Sequence, residues 1–257
     1  MATSEDRSTS FGGIADDYDR LRPGPAPAAL DWLLPAHSDI VVDLGAGTGL
    51  LTRALASRAG HVIAVEPDAR MRAVLAARSP AVEVLAGRGE AIPLPDASAD
   101  AVFVSSAWHW MDATRAAREV ARILRDGGRF GVLWTGRDRT TPWLRPDEWF
   151  LGPYPTNEAG NGAERISVEH DGSHVTLPDP TDFVNIESAA YRFNRAMTVR
   201  DLIDWMMTYS RVITASDDVK AAGRARAEAA LADQFPGAEQ VEVPMRTRCW
   251  RADRVHR

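Results

Sequence analysis

One cysteine, Cys249, stands in 257 residues, which rules out an intrachain disulfide and a thiol-rich zinc site. It falls in an apolar-alternating segment, where a free thiol is expected to be buried and inert. Lysine is equally scarce: Lys220 is the only one, so arginine carries nearly all the positive charge. Acidic residues still prevail, 36 against 30 basic, for a net charge of −6. That balance argues against a general binder of phosphate backbones, and no nucleic-acid partner is expected. No run approaches the ~18 apolar residues of a membrane span, and no secretory leader opens the chain. A cytoplasmic protein with no membrane partner is therefore expected. Two nucleotide signatures are missing as well. No Gly-Lys-Ser/Thr follows a glycine-rich loop, and no glycines are spaced Gly-x-Gly-x-x-Gly.

What the chain does hold is a glycine turn. Val41-Val42-Asp43-Leu44 is an apolar run ending beside an acid, Gly45, Gly47 and Gly49 follow at every second position, and a helical pattern begins at Leu50. A buried parallel strand passes in this way into a helix whose N-terminus faces a ligand. The spacing makes a pyrophosphate an unsuitable ligand, and Asp43 precedes the first glycine, where a dinucleotide fingerprint requires nothing.

Around this turn strands and helices alternate. Strands are expected at 40–43, 62–66, 82–85, 101–104 and 129–134, and helices at 28–36, 50–58 and from Asp68 and Asp112 onward. Gly127-Gly128 is expected to end the helix that Asp112 opens. Such repeated units give a doubly wound, mostly parallel α/β sheet. Thr140 to Pro180 breaks the pattern with six prolines and a Gly/Asn stretch. Strands return at 184–193 and from Val241, separated by helices at 199–209 and, after Ser216, at 217–234. The two late strands are expected as an antiparallel edge pair.

Four segments carry a family resemblance. Asp43-Leu-Gly-Ala-Gly-Thr-Gly49 resembles the first motif of class I S-adenosylmethionine-dependent methyltransferases. Val62-Ile-Ala-Val-Glu66-Pro67-Asp-Ala-Arg-Met71 resembles their second segment, Gly87-Arg88-Gly89-Glu90 through Asp100 the third, and Ala121 to Phe130 the turn into strand five. The resemblance implies a Rossmann-like, seven-stranded fold with an N-terminal helical lid and an irregular insertion after strand five. It implies one methyltransferase domain: helices and lid over 11–37, cofactor core over 39–135, insertion and acceptor lid over 136–182, and C-terminal strands and helices over 183–257. It also implies S-adenosylmethionine as cofactor and a methyl group passed to a small-molecule acceptor by direct displacement. A homodimer is allowed for.

The resemblance assigns roles residue by residue. Asp43 would orient the turn or the cofactor's ammonium, with Gly45, Ala46 and Gly47 against its amino-acid head. Glu66, followed by Pro67, would accept hydrogen bonds from the ribose, and Met71 with Ile92 would flank the adenine. Arginine has no acceptor, so Arg88 cannot read the adenine amino group. That task falls to backbone around Arg88, Gly89 and Glu90, or to the Glu90 side chain. Tyr18 and Arg22 would close over the cofactor, and Ser105 ends strand four beside it.

After strand four, Trp108-His109-Trp110 would lie beside the transferring methyl. His109 is a candidate base for an acceptor that must lose a proton. Trp108, Trp110 and Trp143 are candidates for acceptor contact, with Trp149, Phe150, Tyr154, Trp205 and Tyr209 as further lining. Arg137, Arg139 and Arg195 are candidates to recognise an acidic acceptor, and the segment from Trp134 to Trp143 resembles the trans-aconitate-type group. His170 and His174 flank Asp171 without a supporting ligand cluster, so no metal is expected. Two alternatives stay open at this point. One is a chain that keeps the cofactor fold without methyl transfer. The other, against the glycine spacing, is a nicotinamide-dependent oxidoreductase.

Overall fold

The computed structural model describes residues 15–151 and 182–256. Two short helices lead, α1 (Ala15–Leu21) and α2 (Pro27–Leu33), the second opening on a proline whose missing N–H is harmless in a first turn. Then follow β1 (Ile40–Leu44), α3 (Leu50–Ala56), β2 (His61–Glu66), α4 (Ala69–Arg78), β3 (Glu83–Ala86) and β4 (Ala99–Ser105). A 3-10 turn at Trp108–Trp110 precedes α5 (Ala113–Ile123) and β5 (Leu124–Arg137). The rest is α6 (Pro146–Leu151), β6 (Phe183–Thr198), α7 (Val199–Met207), α8 (Ser210–Ile213), α9 (Asp217–Gln234) and β7 (Gln240–Arg254). Side-chain caps fix three starts. Asp68 accepts from Arg70 N–H, Asp112 from Arg115 N–H and Thr198 from Asp201 N–H. Ser216 precedes α9 but makes no such bond.

The strands form one sheet in the order β3-β2-β1-β4-β5-β7-β6. β1 to β5 are parallel; β7 runs antiparallel to both β5 and β6. The expected antiparallel pair is present, with β7 inserted between β5 and the edge. β1 has β2 on one side and β4 on the other, so the winding reverses between β1 and β4. In open α/β sheets that reversal opens a crevice at the carboxyl ends of the two strands.

Alternation along β1 divides the core. Val42 and Leu44 pack with Val102, Val104, Phe130 and Val132 beneath Ala116, Val120 and Ile123 of α5. Val41 packs on the opposite face with Phe103, Leu133 and Cys249 against Leu30, Leu33, Leu51 and Leu55. Burial keeps Cys249 protonated, its thiol pushed up to about 12. A further apolar cluster joins Leu144 and Phe150 to α7, α9 and the first residues of β7.

Three expectations need correction. Gly127-Gly128 does not end α5, which stops at Ile123. Leu124 is already extended and pairs with Ala99; the register then shifts, and pairing resumes at Ala101 with Arg129. Gly127, at φ 73°, therefore turns a bulge inside β5. The segment after β5 is not irregular throughout, since Pro146–Leu151 is helical. α7 also ends at Met207, two residues before Tyr209. Tyr154, His170, Asp171 and His174 lie outside the described residues.

Candidate functional site

A cleft opens where the winding reverses, with about 510 Å³ of empty space counted out to its mouth. Its floor is the turn from Gly45 to Thr48 with Leu50 and Leu51 of α3. Ser105, Ser106 and Thr135 form one wall, and Tyr18, Arg22, Pro23 and Pro25 the other. Gly45 sits at φ 71°, and a Cβ built there would lie 2.7 Å from Ala107 Cβ, so the turn closes tightly on the segment after β4. At Gly47, with φ 57°, a Cβ would meet nothing within 4 Å among the described residues. That side of the turn is open.

Two acids flank the turn. Asp43 is fully buried; its Oδ2 accepts from Thr52 Oγ1 at 2.6 Å, and its Oδ1 has no partner. Burial, with a smaller push from the Glu66 charge, raises its carboxyl from 3.8 to about 7. Glu66 ends β2 and is 7% exposed. Gly47 N–H donates to its Oε2 at 2.9 Å and Asp68 N–H to its Oε1 at 2.8 Å. Burial raises the Glu66 carboxyl as well, against those two bonds. A carboxylate held by one backbone N–H on each oxygen keeps further lone pairs for a ligand. Thr48 Oγ1 is a second buried oxygen of this region without a partner.

α1 is tied down over the turn. Asp19, 7% exposed, receives Arg53 at 2.6 Å and Arg78 at 3.3 Å, while Arg53 also donates to the Thr48 carbonyl at 2.9 Å. Arg22 donates from Nε and Nη2 to the hydroxyl and carbonyl of Thr208 and lies 4.9 Å from the ring centroids of Tyr18 and Tyr209. Tyr18 and Arg22 thus wall the cleft, with two Arg22 donors already engaged.

Other expected residues fall outside the cleft lining. Met71 and Ile92 are buried at 5% and 4% exposure. Arg88 bridges to Ala91, and a Cβ on Gly89 would lie 2.5 Å from Met111 Sδ, so this turn packs on the segment after β4. Glu90 Oε1 accepts from Asp112 N–H at 2.7 Å. That occupies one of its oxygens and leaves backbone around Arg88 and Gly89 as the better reader of an adenine. Pro67 follows Glu66 directly, and its carbonyl accepts from Arg72.

On the expected acceptor side the structure separates what the sequence grouped. Trp108 is buried against Phe130, their centroids 5.2 Å apart. His109 is exposed, its ring 4.5 Å from that of Trp110. Trp143 packs edge-on against Phe235 at 4.9 Å. Trp149, Phe150 and Trp205 belong to the apolar cluster around α7 and α9, and a Cβ at Gly223 would strike Phe150 at 2.4 Å. They hold helices together and do not line the cleft. Arg195 donates to the Leu21 and Arg20 carbonyls, anchoring α1. Among the described residues no cluster of His, Cys, Asp or Glu could hold a metal.

Sequence reasoning missed Ser106, Thr135, Pro23 and Pro25. Ser106 shows itself only in the structure, where it sits at φ 55°, a conformation uncommon outside glycine.

Comparison with known proteins gives the family. A family profile described as a methyltransferase domain matches residues 42–132. An uncharacterised methyltransferase of Mycobacterium tuberculosis is 39% identical over 249 residues, covering 96% of both chains. A methyltransferase-like protein of Schizosaccharomyces pombe is 32% identical over 225 residues, covering 86% of this chain and 84% of its own. The structure of a putative type II methyltransferase from Anaeromyxobacter dehalogenans has a TM-score of 0.66 at 24% identity, over 91% of this chain and 96% of that one. Haemonchus contortus phosphoethanolamine N-methyltransferase 2, solved with phosphomonomethylethanolamine and S-adenosylhomocysteine, has a TM-score of 0.55 at 15% identity, over 100% of this chain and 61% of its own. The two structures share the fold, and the two relatives align over 96% and 86% of this chain. The chain belongs to the family of S-adenosylmethionine-dependent methyltransferases.

Proposed function

We propose that this protein moves a methyl group from S-adenosylmethionine to a small-molecule acceptor, acting as one methyltransferase domain in the cytoplasm, with no nucleic-acid or membrane partner and with a homodimer allowed. The observation that carries the cofactor's placement is the Glu66 carboxylate, buried at the end of β2 and locked to Gly47 N–H beside a turn that is open at Gly47. The orphaned Asp43 Oδ1 and Thr48 Oγ1 fit a polar ligand at the same turn.

When bound, the cofactor supplies an electrophilic methyl on a sulfonium. The chain's own residues do the rest. Backbone of Gly45, Ala46 and Gly47 would hold the amino-acid head, Glu66 the ribose hydroxyls, and Met71 with Ile92 the adenine faces. Ser105 together with Ser106 and Thr135 would bound the reacting end, and Tyr18 with Arg22 would exclude water. Direct displacement needs alignment and a dry site more than an acid or base. His109, on an exposed turn, would take a proton only from an acceptor that must lose one. Trp110 and Trp143 remain the proposed acceptor contacts nearest the surface, and the trans-aconitate-type grouping remains a proposal with them.

Calorimetric titration tests this reading. S-adenosylhomocysteine should bind with micromolar affinity, about −8 kcal/mol, and NAD should not bind. Glu66→Ala should weaken the former about tenfold. Equal affinity in that variant would overturn the ribose placement, and NAD binding would return the chain to the oxidoreductase reading.

A further inference from the structure

One wall of the cleft holds a hydroxyl whose proton has a fixed direction. β5 and β7 set Thr135 directly opposite Thr247, so the two side chains share a face of the sheet. Their hydroxyl oxygens are 2.9 Å apart, and on distance alone either could donate. Thr247 is fully buried, and its Oγ1 also accepts from Ala26 N–H at 2.9 Å. Ala26 adjoins Pro25 of the cleft's opposite wall, so the pair of threonines joins the two walls.

The surroundings of Thr247 decide which hydroxyl donates. A hydroxyl has one proton and two lone pairs, and a backbone N–H only donates. Ala26 therefore takes up a lone pair of Thr247, and the Thr247 proton has one acceptor among the described residues, Thr135 Oγ1. The reverse direction would bury that proton without a partner, an arrangement folded chains avoid. Ala26 N–H thus donates to Thr247, and Thr247 O–H to Thr135. Thr135 is half-buried and lines the cleft. Its own proton has no acceptor among the described residues and turns to whatever fills the cleft. Ser105 and Ser106 of the same wall likewise spend their hydroxyls on no bond among the described residues.

Position along the sheet says which molecule that proton meets. β5 stands three strands from β2, about 14 Å at the spacing of neighbouring strands. The function proposed above puts the cofactor's ribose at the end of β2 and its amino-acid head on the turn after β1, so both lie short of β5. We propose that Thr135 is a specificity-determining donor to the methyl acceptor, and that Thr247, held by Ala26 N–H, is the positioning residue that orients it. The acceptor so selected presents a hydrogen-bond-accepting group to β5, such as a carbonyl or carboxylate oxygen. One presenting only N–H groups or hydrocarbon there would leave the Thr135 proton unsatisfied. This rests on the small-molecule reading above and deepens it by naming the acceptor's hydrogen-bonding class.

Two measurements on the full chain test it. Neutron diffraction from deuterium-exchanged crystals of the S-adenosylhomocysteine complex should place a deuteron on Thr247 Oγ1 directed at Thr135 Oγ1. A deuteron on Thr135 directed at Thr247 would overturn the inference. The second measurement is labelled methyl transfer from S-adenosylmethionine to the small-molecule fraction of a deproteinised bacterial extract. Thr135→Val removes the hydroxyl at similar volume, and Thr135→Ser restores it. The valine variant should transfer at least tenfold more slowly and the serine variant within threefold of wild type, with calorimetric affinity for S-adenosylhomocysteine within twofold in both. Wild-type transfer by the valine variant overturns the inference, and equal loss in both variants does so by marking a packing role. A tenfold loss of S-adenosylhomocysteine affinity in the valine variant also overturns it, by giving the donor to the cofactor. A wild type that binds S-adenosylhomocysteine yet labels nothing in the extract would strike the proposed function itself, and this inference with it.

Discussion

Stability should fall as pH rises from about 4 to about 7 and level off above that, with Asp43 setting the slope. Its carboxyl is fully buried, holds one hydrogen bond and is raised from 3.8 to about 7, chiefly by that burial. The folded state keeps a proton there that the unfolded chain has already released. The associated stabilisation is complete below 3.8 and is lost as pH climbs through the folded value. At 1.36 kcal/mol per unit, the interval from about pH 5 to about pH 8 removes about 2–3 kcal/mol. Glu66, also raised by burial, works in the same direction. Asp68, Asp100, Asp138, Asp201 and Glu119 are lowered, so they matter only as pH falls below the ordinary carboxylate range. The two windows meet only near pH 4, below the interval measured. Urea unfolding followed by tryptophan fluorescence across that range, for wild type and Asp43→Asn, measures the slope. The amide keeps an acceptor for Thr52 and cannot ionise, so the variant should be flatter by about 2–3 kcal/mol. Parallel slopes, or wild-type stability that rises across the window, would refute the argument.

Three other perturbations probe the site's walls. Gly45→Ala forces a Cβ to 2.7 Å from Ala107 Cβ and should cost about 2–4 kcal/mol in urea unfolding and at least tenfold in affinity for S-adenosylhomocysteine, whereas Gly47→Ala, with open space around it, should cost only about 1–2 kcal/mol. Asp19→Ala leaves Arg53 and Arg78, both partly exposed, without their buried acid and should lose about 1–2 kcal/mol, together with protease protection of α1. His109→Ala should keep near-normal rates on an acceptor that needs no deprotonation. On a hydroxyl acceptor it should abolish the rise of rate near neutral pH, and an unchanged pH–rate profile there would remove His109 from the chemistry.

The parallel half of the sheet was legible because its strands, covered on both faces, are short unbroken apolar runs. Val41 and Val42 pack on opposite sides, so both positions must be apolar. The antiparallel half was legible only in outline. β6 turns most of its residues to solvent as an edge strand, and its polar positions gave no sign that it continues to Thr198. Gly127-Gly128 misled for a simple reason. A left-handed glycine ends a helix or turns a bulge equally well, and only the pairing of Leu124 with Ala99 decides between them.

The two sides of the site differ in how residue type limits choice. A turn that must approach a ligand with its backbone admits little besides glycine, and an acid at the end of β2 is conspicuous in an apolar strand, so Gly45, Gly47 and Glu66 stand out in a single sequence. Aromatic residues carry no such mark. Trp205 filling the core and Trp110 half-buried on the turn after β4 look alike as letters, and burial separates them only after the chain has folded. The donor half of the proposed site is therefore marked by residue types that few positions tolerate, and the acceptor half by residue types that a core uses just as freely.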